Sequence, residues 1–156
     1  MSAETAARIA AFLDAHHVMA LATSGPQGPH AANLFYARDG FALLWVSDPR
    51  SRHSTELEAD PRAAATVAPD YAEFAEIAGV QVSGEAYRLN EMSQSGRAHG
   101  LLEARYPFLT DLSNAANVKQ AYASAALYRL VPHRIVLIDN RRGFGHKETL
   151  DIAALD

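Results

Sequence analysis

The chain has 156 residues, 49% apolar and 21% charged, the proportions of an ordinary globule long enough to bury a core without metals or crosslinks. Fourteen basic against eighteen acidic residues give a net charge of −4, which excludes a general attraction to nucleic acid or to an anionic membrane, so any anion site must be local. There is no cysteine, which excludes disulfides, thiolate metal sites and cysteine nucleophiles together.

The N-terminus lacks the apolar core of a signal peptide and no apolar run approaches membrane-spanning length, so one cytoplasmic domain over 1–156 is expected. Ala6, Ile9, Ala10, Phe12 and Leu13 recur at helical spacing and predict an amphipathic helix over 3–16. Residues 18–23 read as a strand, 24–28 as a turn rich in breakers, and 30–38 as a second strand. Its alternation sets Ala31, Asn33, Phe35 and Ala37 on one face and Ala32, Leu34, Tyr36 and Arg38 on the other. Asp39-Gly40 signals a hairpin into a third strand, 41–47, apolar on both faces and therefore buried. A polar helix over 49–59 follows, then strands over 63–68 and 80–89, separated by a loop or short helix. Asn90 caps a predicted helix over 91–105, and the alanines, Val118 and Tyr122 suggest another within 107–124. Residues 127–131 and 134–138 form a last strand, or two pieces bent at Pro132, and a polar tail over 139–147 closes the chain. About six short strands in hairpins, interrupted by helices, do not make a βαβ series and fit a small antiparallel barrel.

The most informative stretch runs from Trp45 to Leu57, where an apolar strand gives way to a helix start crowded by Arg50, Arg52 and His53. A helix start exposes unpaired N–H groups and the positive end of the dipole, so each cation there is unfavourable by roughly 0.3–1 kcal/mol. A bound phosphate reverses that sign, with the Ser51 hydroxyl, backbone donors and a guanidinium converging on it. A plainer reading stands beside it: Asp48 as N-cap, Pro49 as first helical residue, and Arg52 with Glu56 as a solvated i,i+4 pair. Burial of an apolar face hardly accounts for this helix, which offers only Leu57 and Ala59.

Other arrangements are weaker. His16-His17 sits at a helix end, where a structural role is favoured over a metal site. No zincin, paired-carboxylate or nucleophile-elbow motif is present, and no side chain qualifies as a general base, so the catalytic residues are left unassigned. Gly143-Phe144-Gly145 lacks the third glycine of a dinucleotide fingerprint. Trp45, Phe41 and Leu43 are read as core, and Arg141-Arg142 as a loop that either is solvated or closes a site in a dimer.

Several pieces together carry a resemblance. Asn33 to Tyr36, the run Val46-Ser47…Ser51-Arg52-His53…Glu56-Leu57…Asp60-Pro61-Arg62 and the strand Val82-Ser83-Gly84-Glu85-Ala86 resemble the pyridoxamine 5′-phosphate oxidase-like flavin split barrels. Asn33-Leu34-Phe35-Tyr36, Ser51-Arg52-His53 and the tail Asp139-Asn140…Gly143-Phe144-Gly145…Lys147 resemble an uncharacterised bacterial subfamily of that superfamily. The resemblance implies an α+β fold, mainly β: a six-stranded antiparallel Greek-key split β-barrel with peripheral helices; a barrel of this size commonly leaves a cleft that dimerisation covers at low cost, so a homodimer is expected. The resemblance also implies FMN, with the phosphate at Ser51, Arg52 and His53, the last replacing a lysine. Val46 and Ser47 stand for the aromatic-Thr pair that contacts the flavin, and Asn33, Leu34, Phe35 and Tyr36 for the segment along the ring and ribityl chain. Gln81 is the candidate for a glutamine whose usual place is held by Gly79.

The helix over 91–105 lacks the Tyr…Arg-Pro…Ser-Gln pattern that grips the vitamin phosphate, Tyr36 replaces a substrate lysine, and the C-terminal Arg-X-His is missing. The resemblance therefore implies an oxidoreductase passing hydride between FMN and a small molecule or nicotinamide cofactor, rather than a true pyridoxamine phosphate oxidase. The alternative is a split barrel without turnover that holds haem or a deazaflavin, or nothing, with His53, His133 or His146 as an axial ligand for haem.

Overall fold

The computed structural model describes residues 2–111 and 116–152. Helix α1, Ala3–Ala15, starts at Ser2, whose hydroxyl accepts from Thr5 N at 3.1 Å, and buries Thr5, Ile9 and Leu13 at four-residue spacing. Strands β1, Val18–Gly25, and β2, Gly28–Phe35, form a hairpin. β3, Ala37–Asp39, and β4, Ala42–Ser47, form another, turning at Gly40 with φ +61°. Helix α2, Arg52–Ala59, leads to β5, Arg62–Val67, and β6, Ala78–Arg88. Helix α3, Met92–Arg105, a 3₁₀ turn Pro107–Leu109 and helix α4, Ala116–Ser124, precede β7, Ala126–Asp139, and β8, Lys147–Asp151.

The sheet is antiparallel throughout, in the order β2-β1-β5-β6-β7-β4-β3, with β8 also on β7. It curls into a split barrel of eight strands, two more than the sequence suggests. β7 is one long strand that pairs with β4 through residues 126–130 and with β8 through 134–138. Pro132, which has no N–H to offer, falls in the gap between those two partners and beside the register shift at Ser83/Gly84. There β7 passes so close that a Cβ on Gly84 would lie 2.9 Å from Pro132 Cα and collide with Val131 O.

Met19, Leu21, Leu43, Trp45, Val80, Val82 and Leu130 fill the barrel, closed by Ile9 and Leu13 of α1 and Leu57 of α2. Ala37, Leu44 and Leu127 face the other way, against Ala98, Leu102 and Tyr106. β4 is thus buried on both faces, as its apolar sequence predicts.

Four sequence expectations are corrected. The strand read over 30–38 breaks at Tyr36, whose N–H donates to His17 O at 3.1 Å, so Phe35 is exposed while Ala37 is buried. α2 begins at Arg52, not Pro49, and its cap is Ser51; Asp48 instead closes the preceding turn, accepting from Arg50 N at 2.8 Å. Glu91 rather than Asn90 sits at the start of α3, with no side-chain cap bond. The tail is not simply a loop: it forms a 3₁₀ turn, Asn140–Arg142, and then β8, whose Leu150 enters the core. Of the helix expected within 107–124, residues 112–115 lie outside the described residues. Among the described residues, no helix is long and apolar enough to cross a membrane.

Candidate active site

The end of β2 and the end of β4 stand apart from α3 and α4 and leave a cleft of about 660 Å³, within the usual size of a ligand site. Asn33, Leu34 and Phe35 of β2 and Val46 of β4 form one side. Leu102, Tyr106, Phe108 and Tyr122 form the other, and Asp48 and Arg50 stand at the rim. Arg50 donates from Nε and Nη2 to the two Asp48 carboxylate oxygens, at 3.1 and 2.9 Å, so that pair is internally neutral.

Between Val46 and Asp48, Ser47 turns toward the start of α2. Its Oγ lies 2.5 Å from His53 Nε2, and Ser51 Oγ lies 3.2 Å from the same nitrogen. Ser51 Oγ also accepts from Ser54 N at 3.4 Å and donates to Ser54 Oγ at 2.8 Å. The first intrahelical bond runs from Thr55 N to Ser51 O, which leaves the N–H groups of Arg52 and His53 as donors of the first turn. Two hydroxyls, an imidazole and those N–H groups therefore converge on one corner adjoining the cleft. Burial, with the His30 ring stacked 6.3 Å away, holds His53 below its ordinary value, while Glu56 pulls in the opposite sense.

The polar residues of α2 are what it buries. His53, Ser54 and Glu56 are enclosed along with Leu57. Glu56 accepts from Thr23 Oγ1 at 2.8 Å and from Arg52 Nε at 3.1 Å. Burial alone would raise its carboxyl, but those hydrogen bonds outweigh it and leave the group below its ordinary value. The i,i+4 pair of the plainer sequence reading is thus present, although one partner is buried rather than solvated. Both arginines near the helix start are matched to carboxylates, so the crowding of cations inferred from sequence is relieved within the chain.

The structure divides the sequence-predicted residues into five places. Asn33, Leu34, Phe35 and Val46 line the cleft, and Ser47, Ser51 and His53 make the adjoining corner. Arg52 leans away, with Nη2 3.3 Å from Gly28 O. The Tyr36 side chain is fully buried in the core, where its hydroxyl donates to Leu13 O at 2.6 Å, and it does not line the cleft. Gln81 is exposed on the outer face of the sheet, in the cross-strand row Asn33–Ala20–Thr66–Gln81, roughly 14 Å from Asn33 at three strand spacings. Sequence reasoning missed Tyr106, Phe108 and the His30 and Thr23 pair behind α2. The last two were within reach, because the hairpin register sets Thr23 opposite His30.

A family model described as pyridoxamine 5′-phosphate oxidase matches residues 5–136. A UPF0306 protein of Klebsiella pneumoniae is 30% identical over 146 residues, covering 92% of this chain and 91% of its own. Among solved structures, a conserved hypothetical protein of Mycobacterium tuberculosis superposes with a TM-score of 0.73 at 26% identity, over 98% of this chain and 94% of that one. Two more distant structures share the fold. A haem binding protein of Mycobacterium smegmatis has a TM-score of 0.72 at 22% identity, over 97% of this chain and 58% of that one. A FAD-binding protein of Mesorhizobium loti has a TM-score of 0.63 at 20% identity, over 86% of this chain and 92% of that one.

Proposed function

We propose that this chain, which belongs to the pyridoxamine 5′-phosphate oxidase family, binds FMN and works as an oxidoreductase on a small molecule or a nicotinamide cofactor other than pyridoxamine phosphate. The observation that carries the reading is the corner of Ser47, Ser51 and His53 at the start of α2, opening beside a cleft large enough for a flat ring system. Its donor set suits a phosphate: the hydroxyls and the N–H groups of Arg52 and His53 supply directed hydrogen bonds, and His53 can add a charge by taking up a proton. Asn33 offers the cleft an amide for a ring edge, and Leu34, Phe35 and Val46 supply apolar walls that exclude water. Bound there, FMN supplies reversible hydride exchange; the protein's share is to orient it and shape access to it.

The haem alternative finds less support. None of the described residues lining the cleft is a histidine. His53 Nε2 is engaged by two serines, His146 Nε2 lies 3.3 Å from Glu148, and His133 is exposed on β7.

A homodimer belongs to the same proposal. The outer sheet face shows uncharged residues in cross-strand rows, Ala31–Ala22–Ala64–Ser83 beside Asn33–Ala20–Thr66–Gln81. Within one chain Gln81 stands three strands away from Asn33. A second copy laid face to face would carry another Gln81 toward that ring, which is the reason to keep Gln81 among the cofactor residues.

The test is equilibrium dialysis of the purified chain against FMN, riboflavin and haem, read by absorption. FMN retained more tightly than riboflavin supports the reading. Equal retention of the two flavins removes the phosphate corner, and a Soret band with no retained flavin removes the flavin altogether.

A further inference from the structure

Phe35 and Phe108 are 53% and 42% exposed, unusual for large aromatic side chains, and both line the cleft. With Tyr106 they form a three-ring cluster with centroids 5.2 to 5.6 Å apart, Phe35 meeting both other rings edge-to-face at 61° and Tyr106 tilted by 49° to Phe108. On the same helical side as Tyr106 and Phe108, the Tyr122 ring also lines the cleft while its polar tip is taken up elsewhere. Its hydroxyl donates to Glu103 Oε1 at 2.9 Å and lies 2.7 Å from His99 Nδ1, and neither of those residues lines the cleft. Aromatic surface is therefore presented to the cleft from both walls.

Charge is withheld from the same space. Of the arginines on α3, Arg97 is bound by both carboxylate oxygens of Asp39, at 2.8 and 2.9 Å. Arg105 is spent on the carbonyls of Leu13, Asp14 and His16 at the end of α1. Arg50, at the rim, is paired with Asp48 in solvent. Among the described lining residues the remaining polar groups, Asn33, Gln120 and Ser124, are neutral. An anionic substrate entering here would lose hydration without gaining a partner charge.

We propose that the part of the cleft lined by Phe35, Phe108 and Tyr122 receives an uncharged, flat aromatic substrate that packs on those rings. Its role as substrate rests on the flavin reading above; its chemical class rests on the lining alone. Phosphorylated or carboxylated substrates are selected against because the arginines of α3, Arg97 and Arg105, already have partners.

The probes are 2-naphthol and 2-naphthoate, which share a ring system and differ in charge near pH 7, titrated calorimetrically into the full chain with and without FMN. Saturable 1:1 binding of naphthol at least about tenfold tighter than naphthoate is expected. Phe108→Ala should weaken naphthol by about five- to tenfold, Phe108→Leu should do so with the volume kept, and FMN affinity should stay within about twofold in both. Naphthoate binding as well as naphthol, or naphthol unaffected by both Phe108 variants, overturns the proposal. So does competition between naphthol and FMN, because the cleft would then hold one ring only. Naphthol bound with the stated preference to a chain that retains no FMN upholds the aromatic class and sinks the flavin reading, so the two failures are distinct.

Discussion

Substitutions at Ser51 separate a helix cap from a phosphate ligand, because the same hydroxyl is placed to do both. It accepts from Ser54 N, donates to Ser54 Oγ and approaches His53 Nε2. Ser51→Ala loses the cap, worth about 1 kcal/mol. For a chain of this length that lowers the melting temperature by about 2–4 °C. Ser51→Gly costs only a few tenths of a kcal/mol as a cap and should melt close to the parent. Both variants remove the hydroxyl, so both should lose one hydrogen bond to a charged group, about 1.5–3 kcal/mol, or roughly ten- to a hundredfold in FMN affinity. Riboflavin, which has no phosphate, should bind all three proteins alike. Ser51→Asp keeps an acceptor for Ser54 N but sets a carboxylate against the phosphate, so it should lower FMN affinity further while preserving the fold. Fluorescence titration of both flavins, with thermal melts of each variant, reads these quantities separately. An FMN-to-riboflavin ratio that survives Ser51→Asp in a folded protein would falsify the placement of the phosphate.

Three other outcomes follow from the geometry. Tyr36→Phe removes a buried hydrogen bond to Leu13 O, whose other donor, Arg105, remains at 3.3 Å; it should cost about 1 kcal/mol in thermal melts and leave flavin affinity unchanged, and a drop in affinity would return Tyr36 to the site. Gly84→Ala drives a methyl into the Val131 carbonyl, against backbone that cannot step aside, and should lower stability by about 1–3 kcal/mol; an unchanged denaturation midpoint contradicts the close approach. His53 is held below the ordinary histidine value of 6.5, so the unfolded chain takes up its proton first. The stability this group contributes is complete above that value and lost as pH falls below it. His53→Gln should therefore flatten the dependence of melting temperature on pH between about 7 and 5, and an unchanged slope would show that His53 titrates as freely as in the unfolded chain.

The fold was legible wherever one periodicity dominated. Ile9 and Leu13 mark α1, Asp39-Gly40 marks the β3–β4 hairpin, and the unbroken apolar run of β4 announces burial on two faces. The break at Tyr36 was not legible, because Phe35, Tyr36 and Ala37 are all apolar and only the tertiary bond from Tyr36 N to His17 O interrupts the alternation. β8 was missed because Lys147-Glu148-Thr149-Leu150-Asp151 turns one large apolar side chain inward and follows two turn glycines. Of the site, Ser51 and His53 could be named from the strand-turn-helix pattern, whereas Asn33 to Phe35 and Ser47 entered only through the family resemblance. The aromatic wall could not, since Tyr106 and Phe108 lie around a 3₁₀ turn with no period to read. α2 misled for a different reason. A helix with one large apolar residue reads as solvated, whereas His53, Ser54 and Glu56 are buried because Ser47, Ser51, Thr23 and Arg52 satisfy their polar atoms.

That pairing also decides how a dianion can be tolerated in the corner. Arg50 is matched by Asp48 and Arg52 by Glu56, so neither brings a net charge, and the chain as a whole is negative. The backbone N–H groups contribute only partial charges. Among the described residues the titratable group that touches both serines is His53, which burial and the neighbouring His30 keep below its ordinary value when no anion is present. A phosphate at Ser47 and Ser51 reverses that balance, since an adjacent negative charge favours the protonated ring. By linkage, proton uptake and phosphate binding strengthen one another. Binding of FMN near pH 7.5 should therefore take up a fraction of a proton, visible as a calorimetric enthalpy that changes between buffers of different ionisation heat. Riboflavin should show no such change, and His53→Gln should abolish it for FMN. If FMN binds with the same enthalpy in every buffer, the charge that holds its phosphate comes from an arginine that has left its carboxylate, and Arg52→Ala rather than His53→Gln becomes the variant that destroys the discrimination.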